Sequence, residues 1–112
     1  MRRTHLIDLA VAYFKQRGYK LEMNMSQEGI SGLDRKFDLI TRKGNETHPV
    51  WVRDWNRTVG VNIVINIDKS SEDAGYSSPI LIADKFSDHA KAYANRRGVK
   101  LITRSEIRRS LS

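Results

Sequence analysis

An aspartate inside an apolar strand is costly to bury unless a cation or a metal ion meets it, and segment 36–42 (KFDLITR) carries one, Asp38. Alternation of side chains along a strand puts Lys36, Asp38 and Ile40 on one face and Phe37, Leu39 and Thr41 on the other. Lys36 is therefore a candidate partner of Asp38, and Asp34 is an acid just ahead of both. A second constellation lies in residues 50–55, where Trp51, Arg53 and Trp55 share a face by the same rule. Two indoles flanking a guanidinium suit stacking on exposed bases while Arg53 contacts phosphate. They suit a core or an interface equally, because large aromatics are mostly buried. Asp38 has an alternative of its own, since an ion pair with Arg53 across paired strands would make both residues structural.

The elements that must hold these residues can be read from spacing. Leu6, Leu9, Ala10, Tyr13 and Phe14 fall at helical intervals within 4–17, ahead of Gly18, a residue type that often ends helices. Leu21, Met23 and Met25 alternate with polar residues as in a half-buried strand, and 26–34, with its Ser, Gly and Asp, reads as a loop. Strand 36–42 then meets the hairpin chemistry of Lys43, Gly44 and Asn45, so 50–55 is expected to pair with it antiparallel. Residues 79–83 form a short apolar strand. Ser87 can cap a helix running to Arg97, with Ala90, Tyr93 and Ala94 on one face and Gly98 after it. Residues 99–102 give a last strand, and Thr103 and Glu106 have capping-box spacing before Ile107 and Leu111. Within 59–68, Val61, Ile63, Ile65 and Ile67 alternate and are β-branched, so propensity alone predicts another strand.

The chain of 112 residues is the size of one domain, spanning 1–112, and its 39% hydrophobic content is enough for a core. Twenty Lys and Arg against thirteen Asp and Glu leave a formal charge of +7, which attracts polyanions, nucleic acid first among them. The excess is uneven: Lys91, Arg96, Arg97, Lys100, Arg104, Arg108 and Arg109 face the single acid Glu106, a cluster suited to a phosphate backbone or to a solvated helix face. With no cysteine, disulfides, thiolate zinc sites and a cysteine nucleophile are excluded together. His5, His48 and His89 are scattered, without zinc-ligand spacing. The start MRRTHLID is basic but Asp8 breaks its apolar run, so it does not read as a signal peptide, and no apolar stretch suits a bilayer. A soluble, cytoplasmic protein is expected.

The order helix, strand, acid-bearing strand, hairpin partner, variable element, apolar strand, helix, strand resembles the PD-(D/E)xK nucleases, and the local sequence resembles their Mrr-type restriction endonuclease branch. The resemblance covers most of the chain, through 14–20 (FKQRGYK), 32–42 (GLDRKFDLITR), 49–61 (PVWVRDWNRTVGV), 79–86 (PILIADKF) and 90–102 (AKAYANRRGVKLI). It implies an α/β restriction-endonuclease-like fold, a central mixed sheet flanked by helices, and it makes 61–71 helical against its propensity. It also implies that Asp38 matches the catalytic aspartate and Asp34 the earlier acid, as ligands of Mg²⁺ beside a scissile phosphate. The neighbouring strand departs from the pattern: Trp51 stands at the Glu or Gln position and Arg53 at the Lys position. An indole cannot ligate a hard cation, and an arginine binds phosphate but does not accept protons.

Three functional readings follow. The first is DNA binding, to duplex or to branched DNA as in the Holliday-junction resolvases of this fold, with an incomplete nuclease site, contacts from Arg53, Arg57, Trp55, Arg96, Arg97 and Lys100, and a possible homodimer. The second is a Mg²⁺-dependent endonuclease with a rearranged site, in which Asp38 works with a relocated Lys36 and with Asp34, Glu22 or Glu46 near the metal. The third is an assembly subunit that uses Trp51 and Trp55 in an interface.

Overall fold

The computed structural model describes residues 4–112. Residues 1–3, part of the start read as lacking a signal peptide, lie outside the described residues. In chain order the elements are α1 (Leu6–Gln16), β1 (Lys20–Glu28), β2 (Asp34–Lys43), β3 (Glu46–Val59), α2 (Val61–Asp73), β4 (Ile80–Phe86), α3 (Asp88–Arg97), β5 (Lys100–Thr103) and α4 (Arg104–Leu111). The strands form one sheet in the order β1-β2-β3-β4-β5. β1, β2 and β3 pair antiparallel, and β4 and β5 follow β3 in parallel.

Helices cover both faces of the sheet, which explains why its central strands are apolar on both sides. On one face Leu6, Ala10 and Phe14 of α1 and Ile107 of α4 pack on Leu39, Val50 and Ile82. On the other, Val64 and Ile67 of α2 and Ala90 and Ala94 of α3 pack on Leu81 and Ala83. The family order thus prevails over propensity in α2: Val64, Ile67, Asp68 and Ser71 are buried at helical intervals, while Asn62 and Asn66 are exposed. No helix among the described residues is long and apolar enough to cross a membrane.

Helix boundaries follow local chemistry. The Ser87 hydroxyl accepts from the Ala90 N–H, Gly98 adopts the left-handed conformation at the end of α3, and Thr103 and Glu106 form the capping box of α4.

The expected loop 26–34 is shorter than its bounds, narrowed to 29–33 by strand at both ends. β1 runs on to Glu28, paired with Asp34, and only a tight turn remains, closed by the Gly29 N–H on the Leu33 carbonyl at 2.8 Å. Alternation gave no sign of this because β1 is an edge strand whose later residues are almost all exposed. The turn is tied to the end of α2 by Asp73, whose carboxylate accepts from the Ser31 N–H at 2.9 Å, the Ser31 hydroxyl at 2.7 Å and Arg35 Nε at 2.8 Å. Arg35 first and then Ser31 hold the Asp73 carboxyl down at about 2, from 3.8. Gly29 leaves room for this carboxylate, since a Cβ there would lie 1.8 Å from Asp73 Oδ2 and displace it.

Candidate functional site

β2 and β3 pair from Lys43↔Glu46 to Leu39↔Val50, and there the ladder between them ends, although both strands continue. Beyond that point side chains satisfy the freed backbone groups. The Val52 N–H donates to Asp38 Oδ2 at 2.7 Å, and the Trp51 indole N–H donates to the Lys36 carbonyl at 2.8 Å. On its other side β3 shifts register against β4 between Arg53 and Thr58. Bulges of this kind commonly re-aim side chains next to functional sites. Between the parted strands lies a groove of about 650 Å³, lined by Asn24, Asp34, Lys36, Asp38, Trp51 and Arg53 among others, with Ser70 reaching in from α2.

Arg53 crosses the floor of this groove. Its Nη1 lies 3.3 Å from Asp38 Oδ2 and donates as well to the Val52 carbonyl at 3.3 Å. The pair is half-buried, with side-chain exposures of 24% for Arg53 and 38% for Asp38. The guanidinium stacks 4.5 Å over the Trp51 ring and stands 5.8 Å from the Trp55 ring, and Arg57 stacks on Trp55 at 4.5 Å. Trp51, Arg53, Trp55 and Arg57 thus form an alternating aromatic and cationic column along one face of β3. Each such contact contributes about 0.5–1 kcal/mol at an exposed site. Both indoles also pack against the core under α2 and α3, so they support the guanidinium groups from the protein side.

Asp34, Lys36 and Asp38 line the same groove, but the donor set does not fit Mg²⁺. Magnesium needs a near-octahedral shell of oxygens. Here the Asp38 oxygen and the Val52 carbonyl converge on a guanidinium nitrogen, and Trp51 presents a donor already engaged. Among the described residues no group of three or more His, Cys, Asp or Glu is placed to hold a metal ion. Glu22 and Glu46, considered as ligands from the sequence, are committed elsewhere: Glu22 to Arg42 at 2.8 Å, Glu46 to the Tyr19 hydroxyl at 3.1 Å.

Trp55 and Arg57 also line a second cavity, of about 470 Å³, with Gly60, Asn62, Ser87 and His89. The column thus borders the groove at Trp51 and Arg53 and this cavity at Trp55 and Arg57. Arg96, Arg97 and Lys100 lie elsewhere: α3 leads straight into β5, so they sit at the start of a strand parallel to β3, whereas Arg53 and Arg57 lie toward the end of β3. Arg97 binds Asp68 at 3.0 Å and Glu72 at 3.6 Å, and Lys100 borders a cavity with Tyr13, Tyr19 and Lys43.

Arg104 leaves the basic surface cluster altogether. It is 8% exposed, with Nε on Asp84 at 2.6 Å, Nη1 on the Thr4 carbonyl at 2.7 Å and Nη2 on Asp54. Its burial could not be read from the sequence because the partners come from three distant segments. Sequence reading also missed Asn24, which has a φ of 52° and lies beside the groove in the edge strand, and Ser70, whose role depends on how α2 packs.

The restriction endonuclease family model Mrr_cat matches residues 1–111. Among solved structures, the chain is similar to a protein of unknown function, AF1548, with a TM-score of 0.81 and 18% identity over 88% of this chain and 56% of that one. It is similar to protein VC1899 from Vibrio cholerae, with a TM-score of 0.69 and 15% identity over 94% of this chain and 30% of that one. A repair endonuclease from Pyrococcus abyssi gives a TM-score of 0.60 and 15% identity over 92% of this chain and 48% of that one. These likenesses are of fold, and the chain spans roughly a third to a little over half of each structure. No curated protein matches the sequence.

Proposed function

The chain belongs to the Mrr_cat restriction endonuclease family, and from that premise we propose that it binds DNA through its phosphate backbone without metal-dependent cleavage. The supporting observation is the column on β3, where two guanidinium groups are set on indole faces along a groove in a chain of formal charge +7. A guanidinium presents five N–H donors, so Arg53 keeps donors for a phosphate after binding Asp38 and the Val52 carbonyl. Arg57 extends the contact along the strand, and Trp55 holds both arginines in position. Branched DNA and a homodimeric state belong to this reading by analogy with the fold. The Mrr_cat family supplies its chemistry with Mg²⁺; in this chain Trp51 stands where the family's ligand is expected and Arg53 where its lysine is expected.

The test is binding of labelled duplex and four-way-junction DNA, followed by anisotropy across a salt series and read beside denaturing gels with Mg²⁺ or Mn²⁺. Binding that weakens steeply with salt, and falls at least tenfold in the Arg53→Ala, Arg57→Ala double variant, supports the reading. Absence of DNA binding at low salt overturns it and moves the assignment to an assembly subunit. One observation favours a second reading, the shared groove of Asp34, Lys36 and Asp38. Cleavage by the wild type that disappears in Asp38→Ala would establish a working nuclease with a rearranged site.

A further inference from the structure

The contacts of Arg53 carry a more specific inference, which rests on the reading above for its phosphate but not for its geometry. We infer that Arg53 is a resident cation: its guanidinium fills the point where Asp38 Oδ2 and the Val52 carbonyl would otherwise hold a divalent ion, so that removing it unmasks a latent metal site.

Two oxygens of different origin, one carboxylate and one backbone carbonyl, lie 3.3 Å from the same nitrogen. Hard divalent cations sit within about 2.0–2.6 Å of such oxygens, so an ion drawing on both would overlap Nη1, and the two occupants exclude each other. The guanidinium holds the position from three sides, with the carboxylate, the carbonyl and the Trp51 ring at 4.5 Å. Trp51 reinforces the exclusion. It follows Val50, the partner of Leu39, and therefore stands across from Asp38, where it supplies an N–H to the Lys36 carbonyl and no acceptor. A single fixed charge of this kind attracts a phosphate but does not acidify a bound water, which is the step a metal provides in hydrolysis. Binding of DNA is accordingly independent of divalent ions.

The experiment needs no DNA. Mn²⁺ is titrated into wild type, Arg53→Ala and the Trp51→Glu, Arg53→Ala double variant, each with and without Asp38→Asn, and binding is read by electron paramagnetic resonance of the free ion after circular dichroism has established folding. The expected result is no Asp38-dependent site in wild type at millimolar Mn²⁺, a weak site in Arg53→Ala, and at least tenfold tighter binding in the double variant, lost in both cases with Asp38→Asn. Folded variants that bind no Mn²⁺ overturn the inference, as does an Asp38-dependent site in wild type. A second readout uses wild type alone: Mn²⁺ leaves the Trp51 indole N–H cross-peak as sharp as that of Trp55. Selective broadening of Trp51 overturns the inference even if every variant fails to fold. A latent site in a protein that binds no DNA would sink the proposed function and leave this inference standing.

Discussion

Arg53 and Arg104 both meet aspartates, yet the fold puts them to opposite uses. Arg104 is 9% exposed at its side chain and is engaged by Asp84, Asp54 and the Thr4 carbonyl. Arg53 is 24% exposed, binds one carboxylate at 3.3 Å and lies on a groove open to solvent. The two sites are joined by adjacent residues of β3: Arg53 faces α2 and α3, and its neighbour Asp54 points to the α1 and α4 side, as alternation requires. Burial therefore decides the role. An arginine surrounded by acceptors is a structural part, and one with donors left over is available to a ligand.

The comparison breaks most visibly if Arg104 is removed. Arg104→Ala removes a largely buried guanidinium that bonds Asp84, Asp54 and the Thr4 carbonyl, and is expected to cost about 3–5 kcal/mol in urea unfolding. Arg53→Ala is expected to change stability by no more than about 1 kcal/mol, because its pair is partly solvated, while weakening DNA binding at least tenfold in the anisotropy assay. A loss of stability as large as that of Arg104→Ala would erase the distinction between the two sites.

Arg35 and Asp73 supply an intermediate case, tying the β1–β2 turn to α2. Gly29→Ala pushes a methyl into the Asp73 carboxylate and is expected to cost about 1 kcal/mol by thermal denaturation, with no loss of DNA binding. The smallest effect is one of pH. The Asp73 carboxyl is held at about 2, below its ordinary 3.8, so its contribution is complete above pH 4 and is lost as pH falls through 2. Asp73→Asn is expected to flatten that part of the stability curve between pH 4 and pH 2.

The meeting of Asp38 and Arg53 was legible in the sequence, because period-two alternation and a hairpin at Gly44 suffice to bring the two together. Trp51, Arg53 and Trp55 were placed on one face for the same reason. The helical state of α2 was legible only through family order, since its β-branched residues argue for a strand and its burial pattern appears only once the sheet is present. Arg104 was not legible at all. Its capping-box neighbours Thr103 and Glu106 advertise a helix start, but nothing local says that Asp54 and Asp84 will close on its guanidinium. The separation of Lys100 from Arg53 was hidden for the same reason, as the end of the sheet a residue occupies is a property of topology.

The bond from Arg104 to the Thr4 carbonyl spans 100 residues and fastens α4 to the entry of α1, while the Leu6 amide is held by Asp54 in the same cluster. Helices so coupled do not fray separately. They form one cooperative opening unit assembled from distant stretches of chain, and amide hydrogen exchange at Leu6 is expected to keep pace with exchange in α4 rather than with β1, its nearer neighbour in sequence.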